Sequence, residues 1–331
     1  MEKIYRDMTL GEVYESLSEK KNTLILFHAR PDADAAGSAF ALKMIFESLG
    51  SRAWCVCDTP LPERLKFLAK DLQESAELSS VPKDFDIERI VSVDTASPAQ
   101  LGGLEEEFSC RVDLMIDHHE KGVRYADGLV LPKAAATGEI IFDLSRYALV
   151  QGVKLDMAEL DARIYAAVSS DTGGFRFSSV TPETHRRAAE MLSSGIDSAQ
   201  INRLLFDCKP YVQLLAERLA FDRLKIYDGD IAIIEFPYEL KIKHGIENQY
   251  TETLIDVARS VSGVNIAAVV RDPENNGKFR CSTRSNCDFD VSALCAQFGG
   301  GGHRAASGCT IEDSDIHNAA MRVLEAIRKM R

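Results

Sequence analysis

The feature that most constrains the fold is a series of short, continuous apolar runs, each followed by a polar break. The run at 22–29 (NTLILFHA) precedes a segment with helical spacing of apolar residues that stops at Gly50, and further runs follow at 52–57, 87–94 and 111–119. Runs of this kind are typical of parallel strands that are buried on both faces. They predict an α/β domain with a mostly parallel sheet and helices on both faces.

The remaining apolar patterns predict a second, smaller α/β domain. Helices are predicted at 98–107, 137–150, 156–170, 182–195, 197–206 and 210–225, followed by strands at 230–237, 264–272 and 278–284 and helices at 291–298 and 313–331. A chain of 331 residues also exceeds the usual size of one hydrophobic core. We therefore expect a first domain at 1–195, a helical linker at 196–226 and a second domain at 227–331, with an active-site cleft between the two domains.

The charge of the chain limits its partners. A formal net charge of −12 argues against a protein that coats long nucleic acid, although it leaves room for a small phosphorylated ligand in a local basic pocket. No apolar stretch is long enough to cross a membrane, and the N-terminal residues lack the apolar segment of a signal peptide. We expect a cytoplasmic protein without a membrane partner.

Carboxylates and imidazoles follow the predicted strands of the first domain. Taken singly, an Asp in such a place is usually a turn or helix-capping residue, and a lone His is more often structural than a ligand. Because the carboxyl ends of parallel strands meet at one edge of a sheet, the whole set instead indicates a binding site. The set comprises His28, Asp32, Asp34, Asp94, Asp117, His118, His119 and, after a helix, Asp171.

The residue types in this set predict a metal centre. Carboxylates with imidazoles and no thiolate suit Mn²⁺, Mg²⁺ or Fe²⁺ rather than structural zinc. The set is larger than one ion needs, and two ions about 3.5–4 Å apart would use it fully. Such a pair activates a water molecule for attack on phosphorus, so phosphoester hydrolysis is the predicted chemistry.

Four segments in this order, HARPDADAAGSA, VSVDT, DHH and SSDTGGF, resemble the four motifs of the DHH phosphoesterase superfamily. STRS and FGGGGHRAASG resemble its C-terminal DHHA1 domain, so the resemblance covers nearly the whole chain. The length without added domains resembles the oligoribonucleases (nanoRNases) of that superfamily, which also dephosphorylate 3′-phosphoadenosine 5′-phosphate (pAp).

The resemblance implies roles for the residues at the strand ends. One ion would be held by His28, Asp32 and Asp94, and the other by Asp34, Asp94, His118 and Asp171, with Asp94 as the bridge. Asp117 would support a ligand histidine, and His119 would face the substrate phosphate or the leaving oxygen. The expected cofactor is Mn²⁺, two ions per subunit, with Mg²⁺ or another divalent ion as the alternative.

The glycine run of the second domain has two interpretations. Such runs are commonly flexible linkers, but between a helix and a strand they also let backbone N–H groups approach an anion. By resemblance, Arg284 and His303 contact the substrate. For Arg304, a structural or solvent-exposed role has the same weight as contact with the substrate. The candidate substrate-binding residues are Arg284, Ser285, Gly300, Gly301, Gly302, His303 and Arg304. Arg271, Lys278 and Arg280 form a basic rim or simply face water.

The resemblance, together with the acidic charge of the chain, implies a metal-dependent phosphodiesterase that degrades RNA of about two to five nucleotides to nucleoside 5′-monophosphates and also acts on pAp. The alternatives within the same chemistry are a linear dinucleotide (pGpG or pApA type) and a cyclic dinucleotide as substrate. The alternative without catalysis is a nucleotide sensor or RNA-binding module on a decayed scaffold of the same superfamily. The resemblance also implies a homodimer.

Overall fold

The computed structural model describes residues 5–331, and the chain divides into two compact units. The first unit ends at Cys208 and the second spans Lys209–Arg331. Residues 1–4 lie outside the described residues. They belong to the predicted first domain and to the N-terminal segment that was compared with signal peptides. The division falls within the predicted linker at 196–226.

The first unit holds the strands and helices that follow the apolar runs. Its strands are β1 (Thr23–Phe27), β2 (Ala53–Val56), β3 (Arg89–Val93), β4 (Leu114–Asp117) and β5 (Asp127–Val130). Its helices are α1 (Leu10–Ser18), α2 (Ala33–Ser48), α3 (Lys66–Ala69), α4 (Glu105–Phe108), α5 (Thr137–Val150), α6 (Met157–Asp171), α7 (Pro182–Ser193) and α8 (Ser198–Asn202).

The five strands form a parallel sheet in the order β2-β1-β3-β4-β5. Alternate side chains of β1 enter two different cores, because successive residues of a strand point to opposite faces. Ile25 and Phe27 pack with α1, α2, α5 and α6, whereas Leu24 and Leu26 pack with the segment around Leu101. The predicted parallel sheet with helical layers on both faces is confirmed.

Helix α2 lies in the middle of its layer and is buried along most of its length. Gly37 marks the closest approach to α6, since a Cβ atom at this position would lie 2.6 Å from the carbonyl oxygen of Arg163. This close packing holds the first turns of α2 against the middle of α6. Asp34, in the first turn of α2, lies near Asp171 at the end of α6.

The helix predicted at 98–107 is wrong as a single helix. The structure has a 3₁₀ segment at Pro98–Leu104, followed by the short α4. Gly102 breaks the segment with φ 63° and ψ −130°, a backbone conformation that L-residues with side chains rarely adopt.

The second unit contains a six-stranded mixed sheet in the order β10-β11-β9-β8-β7-β6. Its strands are β6 (Lys225–Tyr227), β7 (Ile231–Phe236), β8 (Ile266–Arg271), β9 (Lys278–Ser285), β10 (Gly301–His303) and β11 (Ala306–Glu312). Its helices are α9 (Tyr211–Phe221), α10 (Tyr238–His244), α11 (Ile255–Arg259), α12 (Val291–Ala296) and α13 (Ile316–Met330). Core residues cover both faces of the sheet, with α12 and α13 on one side and α9 and α11 on the other. The smaller α/β unit is thereby confirmed.

Among residues 5–331, none of the helices combines the length and apolar character that crossing a membrane requires.

Candidate metal centre

The predicted ligands lie at the carboxyl end of the parallel sheet. His28 follows β1, Asp94 follows β3, and Asp117 ends β4. Strands β1 and β3 are neighbours, but the chain leaves them toward different sides, since β2 lies beyond β1 and β4 beyond β3. In open α/β sheets, substrates and ions typically bind where the strand order reverses in this way.

The first group of ligand atoms joins the loop after β1 to the loop after β3. His28 Nε2 lies 3.8 Å from Asp32 Oδ1 and 3.7 Å from Asp94 Oδ2. Asp32 is also the N-cap of α2 and accepts a hydrogen bond from the backbone N–H of Ala35 at 3.0 Å. One ligand atom from each of the three residues lies within 4.8 Å of the other two.

The second group surrounds His118 Nε2. It lies 3.8 Å from Asp34 Oδ2, 3.2 Å from Asp171 Oδ2 and 3.7 Å from Asp94 Oδ1. The two oxygens of Asp94 therefore face different histidines, with Oδ2 toward His28 and Oδ1 toward His118. This is the arrangement expected of a carboxylate that bridges two ions.

Backbone carbonyls determine which ring nitrogen of each histidine is available. His28 Nδ1 lies 3.0 Å from the carbonyl oxygen of Ala29, and His118 Nδ1 lies 3.2 Å from that of Ala134. A neutral ring donates its Nδ1–H to the carbonyl, which leaves the Nε2 lone pair directed at the carboxylates. Metal-bound histidines characteristically have such a partner on the second nitrogen.

The raised pKa values of the clustered carboxylates indicate that their negative charges repel one another. Burial raises the pKa of Asp34 to about 7, with the charge of Asp94 acting in the same direction. Burial and the charge of Asp34 raise the pKa of Asp171 to about 7, and burial and the charge of Asp32 raise that of Asp94 to about 6. Divalent cations would relieve this repulsion.

The pKa values of His28 and His118 are raised by the same excess of negative charge. Burial disfavours their charged forms, but the surrounding carboxylates outweigh it. The pKa of His28 rises to about 10, mainly through Asp32, and that of His118 rises to about 11, through Asp171, Asp34 and Asp94. The same carboxylates would stabilise divalent cations at this site.

Asp117 and His119 form a pair beside the cluster. His119 Nδ1 lies 2.7 Å from Asp117 Oδ1, and the same oxygen accepts a hydrogen bond from the backbone N–H of His118 at 2.8 Å. His119 Nδ1 is also 3.8 Å from Asp94 Oδ1, and one ligand atom from each of Asp94, His118 and His119 lies within 4.8 Å of the other two. The supporting role of Asp117 and the substrate-facing role of His119 stay predictions.

Sequence reasoning missed the contribution of the first turn of α5. The Ala136 N-cap of this helix makes no capping hydrogen bond through its side chain. Instead, the backbone N–H groups of Thr137 and Gly138 donate to the two oxygens of Asp34 at 2.7 and 2.9 Å. The one sequence signal was a helix start, AAATGE, without a preceding Ser, Thr, Asp or Asn.

The donor set fits a pair of divalent ions. Asp34 and Asp94 are 0% and 2% exposed, and their carboxylates lie 3.7–3.8 Å from imidazole nitrogens, too far for ordinary hydrogen bonds. Apart from His118 and Asp171, which lie 3.2 Å apart, these imidazoles and carboxylates surround common points rather than pairing closely with each other. Asp, His and no thiolate are suitable for Mn²⁺ or Mg²⁺.

The predicted substrate-binding residues lie in the second unit, around β9, β10 and β11. Arg284 on β9 pairs with Ala306 of β11, and burial lowers its pKa. Gly300 and Gly302 are required by packing, since a Cβ at either position would lie within 2.7 Å of β11 backbone oxygens. Gly301 has open space around it, so of the three only Gly301 leaves room for close approach of an anion.

The other polar residues of this region have partners inside the unit. Ser285 Oγ donates to the carbonyl oxygen of Cys287, and Arg304 forms an ion pair with Asp288 at 2.9 Å. Arg280 donates to Thr310, and Lys278 lies 3.3 Å from Glu312. These contacts suit structural or solvent-facing roles as well as the predicted ones, which stay predictions together with that of His303.

The model of the DHH family, N-terminal domain, matches residues 22–167, and that of the DHHA1 domain matches residues 231–330. A similar protein is the bifunctional oligoribonuclease and PAP phosphatase NrnA of Thermus thermophilus, which is 30% identical over 92% of this chain and 89% of its own length. The chain belongs to the DHH family. The resemblance noted in the sequence is confirmed, and both domain models fall on the two α/β units.

Two further similarities are more distant. A cyclic-di-AMP phosphodiesterase, GdpP of Geobacillus thermodenitrificans, is 26% identical over 95% of this chain, which spans 48% of that protein. The crystal structure of an exopolyphosphatase-related protein from Bacteroides fragilis superposes with a TM-score of 0.84 at 24% identity, covering 97% of this chain and 95% of that one. The second comparison shows that the fold is shared along the whole length.

Proposed function

We propose that this DHH-family protein is a metal-dependent phosphodiesterase that hydrolyses very short RNA to nucleoside 5′-monophosphates and removes the 3′-phosphate of pAp. The observation that carries the proposal is the position of Asp94, whose two carboxylate oxygens face His28 and His118, and these histidines belong to different groups of ligand atoms. The relative that is 30% identical bears the name of an oligoribonuclease and PAP phosphatase, which supports this choice of substrate.

The residues of the cluster are assigned to two proposed ion sites. His28, Asp32 and Asp94 would hold one divalent ion, and Asp34, Asp94, His118 and Asp171 the other, with Mn²⁺ as the proposed metal. When bound, such a pair supplies Lewis acidity, which makes water nucleophilic near neutral pH and offsets charge at phosphorus. The buried carboxylates keep their positions without reorganisation because backbone N–H groups and hydroxyls already hold them.

His119 is the proposed partner of the substrate. Burial opposes its protonation, but Asp117 and Asp94 outweigh this and raise its pKa. Asp117 accepts the Nδ1–H, which orients the ring and favours a proton on Nε2. The ring would therefore donate a hydrogen bond or a proton to a phosphate oxygen or to the leaving oxygen.

The negative net charge of the chain favours a short RNA over a long RNA as the substrate. With a net charge of −12, long polyanions would be repelled, whereas about two to five nucleotides engage only a local site. Arg284, His303 and the neighbouring residues of the glycine run are the proposed contacts to the terminal nucleotide. The cytoplasmic location and the homodimer stay predictions.

A substrate series tests the proposal. RNAs from two to twenty-four nucleotides, pAp, a linear dinucleotide and cyclic di-AMP are incubated separately with Mn²⁺ and protein, and products are followed over time. We expect mononucleotides from the shortest RNAs and phosphate release from pAp. Preference for the longest RNA or for cyclic di-AMP would contradict the proposal, and binding without hydrolysis would favour the nucleotide sensor.

Asp94→Asn provides the internal control of this experiment. Asn keeps the size of the side chain and tolerates the left-handed backbone of this position, so folding is retained while the bridging charge is lost. We expect hydrolysis to fall by at least about 10³-fold. Asp86→Asn, at an exposed position away from the cluster, should hydrolyse at the rate of the unaltered protein. Full activity of Asp94→Asn would refute the metal assignment.

A further inference from the structure

The backbone of Asp94 has a conformation that is uncommon for residues other than glycine. Its φ is 52°, in the left-handed region, and it is 2% exposed. Non-glycine residues remain in this region only where the surroundings fix them, and such residues concentrate at functional sites. One constraint is visible in the backbone, where the N–H of Asp94 donates to the carbonyl oxygen of Ile116 at 2.9 Å. The orientation of the carboxylate needs a second constraint.

Thr137 supplies this constraint. It is the first residue of α5 and is fully buried, and its hydroxyl donates to Asp94 Oδ1 at 2.9 Å. A threonine within a helix can satisfy its hydroxyl with a carbonyl one turn earlier, but at the first position that turn does not exist. The hydroxyl can therefore form its hydrogen bond with a different element, and it donates to Asp94 Oδ1, the oxygen that faces His118.

The same turn of α5 also holds Asp34 through two backbone N–H groups. These bonds are made by backbone N–H groups, so Val, Ala or Ser at position 137 would leave them in place. The bond to Asp94 depends on the hydroxyl itself. Loss of that hydroxyl would leave Oδ1 without its donor and would free the carboxylate to rotate, so its two oxygens would no longer face His28 and His118.

We infer that Thr137 is a positioning residue: its hydroxyl holds Asp94 in the orientation in which one carboxylate oxygen faces each group of ligand atoms. Thr137 acts through Asp94 and is not among the grouped ligand atoms. The inference rests on the proposed metal centre and adds to it the residue that makes Asp94 able to bridge.

A purely structural role for Thr137 predicts different consequences. A buried hydroxyl with one hydrogen bond contributes to folding in any protein, so its removal would lower the thermal stability and nothing more. A positioning role predicts a loss of metal affinity as well, because groups that orient metal ligands commonly contribute about 10–100-fold to affinity. Metal affinity is therefore the measurement that separates the two roles.

The test uses the full-length chain, titrated with MnCl₂ alone in a calorimeter after removal of bound metal. Thr137→Val removes the hydroxyl with little change of shape, and Thr137→Ala removes it without any steric conflict should the valine fold poorly. Thr137→Ser keeps the hydroxyl. Thr184→Val is the matched control, since Thr184 is equally buried in the first turn of α7 and bonds only to Thr181.

We expect Thr137→Val and Thr137→Ala to bind Mn²⁺ about tenfold or more weakly, and Thr137→Ser and Thr184→Val to bind within about threefold of the unaltered protein. Wild-type affinity in a folded Thr137→Val or Thr137→Ala would overturn the inference and leave the metal centre intact. Equal weakening in Thr137→Ser would also overturn it, because shape rather than the hydroxyl would then be responsible. Absence of Mn²⁺ binding by the unaltered protein would overturn the metal centre and the inference together.

Discussion

His118 and His119 are neighbours in the chain but have different hydrogen-bond partners. His118 directs Nδ1 at the carbonyl oxygen of Ala134 and Nε2 at three carboxylates. His119 instead directs Nδ1 at Asp117. The rings lie 4.8 Å apart between centroids and are tilted by 56°, so they do not share a direction. This difference suggests that one ring binds metal and the other acts on the substrate.

Replacement of His119 tests that division. We expect His119→Ala to bind Mn²⁺ within about threefold of the unaltered protein, while kcat for a dinucleotide falls by about 10²–10³-fold because a proton donor is lost. Calorimetric titration and initial rates measure the two effects on the same preparation. The corresponding His118→Ala protein should lose metal affinity. If His119→Ala loses it equally, His119 is a metal ligand and the division is wrong.

The raised pKa values of the buried carboxylates predict a pH-dependent release of protons. With a pKa of about 7, Asp34 and Asp171 are mostly protonated at pH 6 and ionised at pH 8, whereas His28 and His118, at about 10 and 11, are protonated at both. Metal binding requires all these atoms to be free of protons. Mn²⁺ should therefore release more protons at pH 6 than at pH 8.

Calorimetry in two buffers of different ionisation enthalpy measures this release at each pH. The Asp171→Asn protein, which lacks one of the titrating groups, should show a smaller difference between the two pH values. Equal release at pH 6 and pH 8 in the unaltered protein would contradict the prediction, because it would show that the protonation of these carboxylates does not change between the two pH values.

At the scale of elements, the turn after α6 depends on a glycine. Gly173 has φ 58°, and a Cβ there would lie 2.4 Å from the ring of Phe177. The residue two positions earlier is Asp171, so displacement of this turn would move a proposed ligand. Gly152, after α5, also has a positive φ of 88° but open space around it.

The two glycines make a matched pair of mutations. Gly152→Ala should lose about 1 kcal/mol in the free energy of unfolding, the cost of the backbone conformation alone. Gly173→Ala should lose more, because the ring of Phe177 must also move, and it should bind Mn²⁺ more weakly. Urea unfolding and Mn²⁺ titration provide the two measurements. Equal behaviour of the two variants would show that Phe177 adapts without affecting Asp171.

Elements with strong local signals were predictable from the sequence, and those that depend on distant partners were not. The helix predicted at 137–150 begins and ends where α5 does, and α7 begins at Pro182 after its Thr181 cap. Strand β5 was missed because it has four residues and contains Gly128, which gives no periodic pattern. The residues that lie together around Asp94 could be predicted as a group because Asp and His rarely follow apolar strands in such number, and their role as metal ligands stays a proposal. Thr137 could not be predicted, since only the fold brings it to Asp94.

At the scale of the whole molecule, all proposed metal ligands belong to the first unit. From His28 to Asp171 they precede Cys208, where that unit ends. A ligand that binds only the folded form of one unit stabilises that unit by mass action. In scanning calorimetry, Mn²⁺ should raise the unfolding temperature of the first unit and leave that of the second unchanged.

The Asp94→Asn protein is the control for this measurement, because its first unit should no longer respond to Mn²⁺. Cys110 and Cys208 of the first unit are also exposed, so both are replaced by Ser, and a fluorescent label on the exposed Cys287 then identifies the transition of the second unit. A shift of equal size in both transitions would contradict the assignment of the metal to the first unit alone.

The parallel order of β2-β1-β3-β4-β5 has a consequence for synthesis on the ribosome. Because parallel neighbours need long connections, the residues around Asp94 come from segments that are far apart in the chain, and Asp171 is the last to be made. A nascent chain that stops before α6 lacks part of the cluster, and its accumulated carboxylates repel one another. Complete metal capture thus waits until nearly all of the first unit has left the exit tunnel, so uptake of the ion would report completion of that unit.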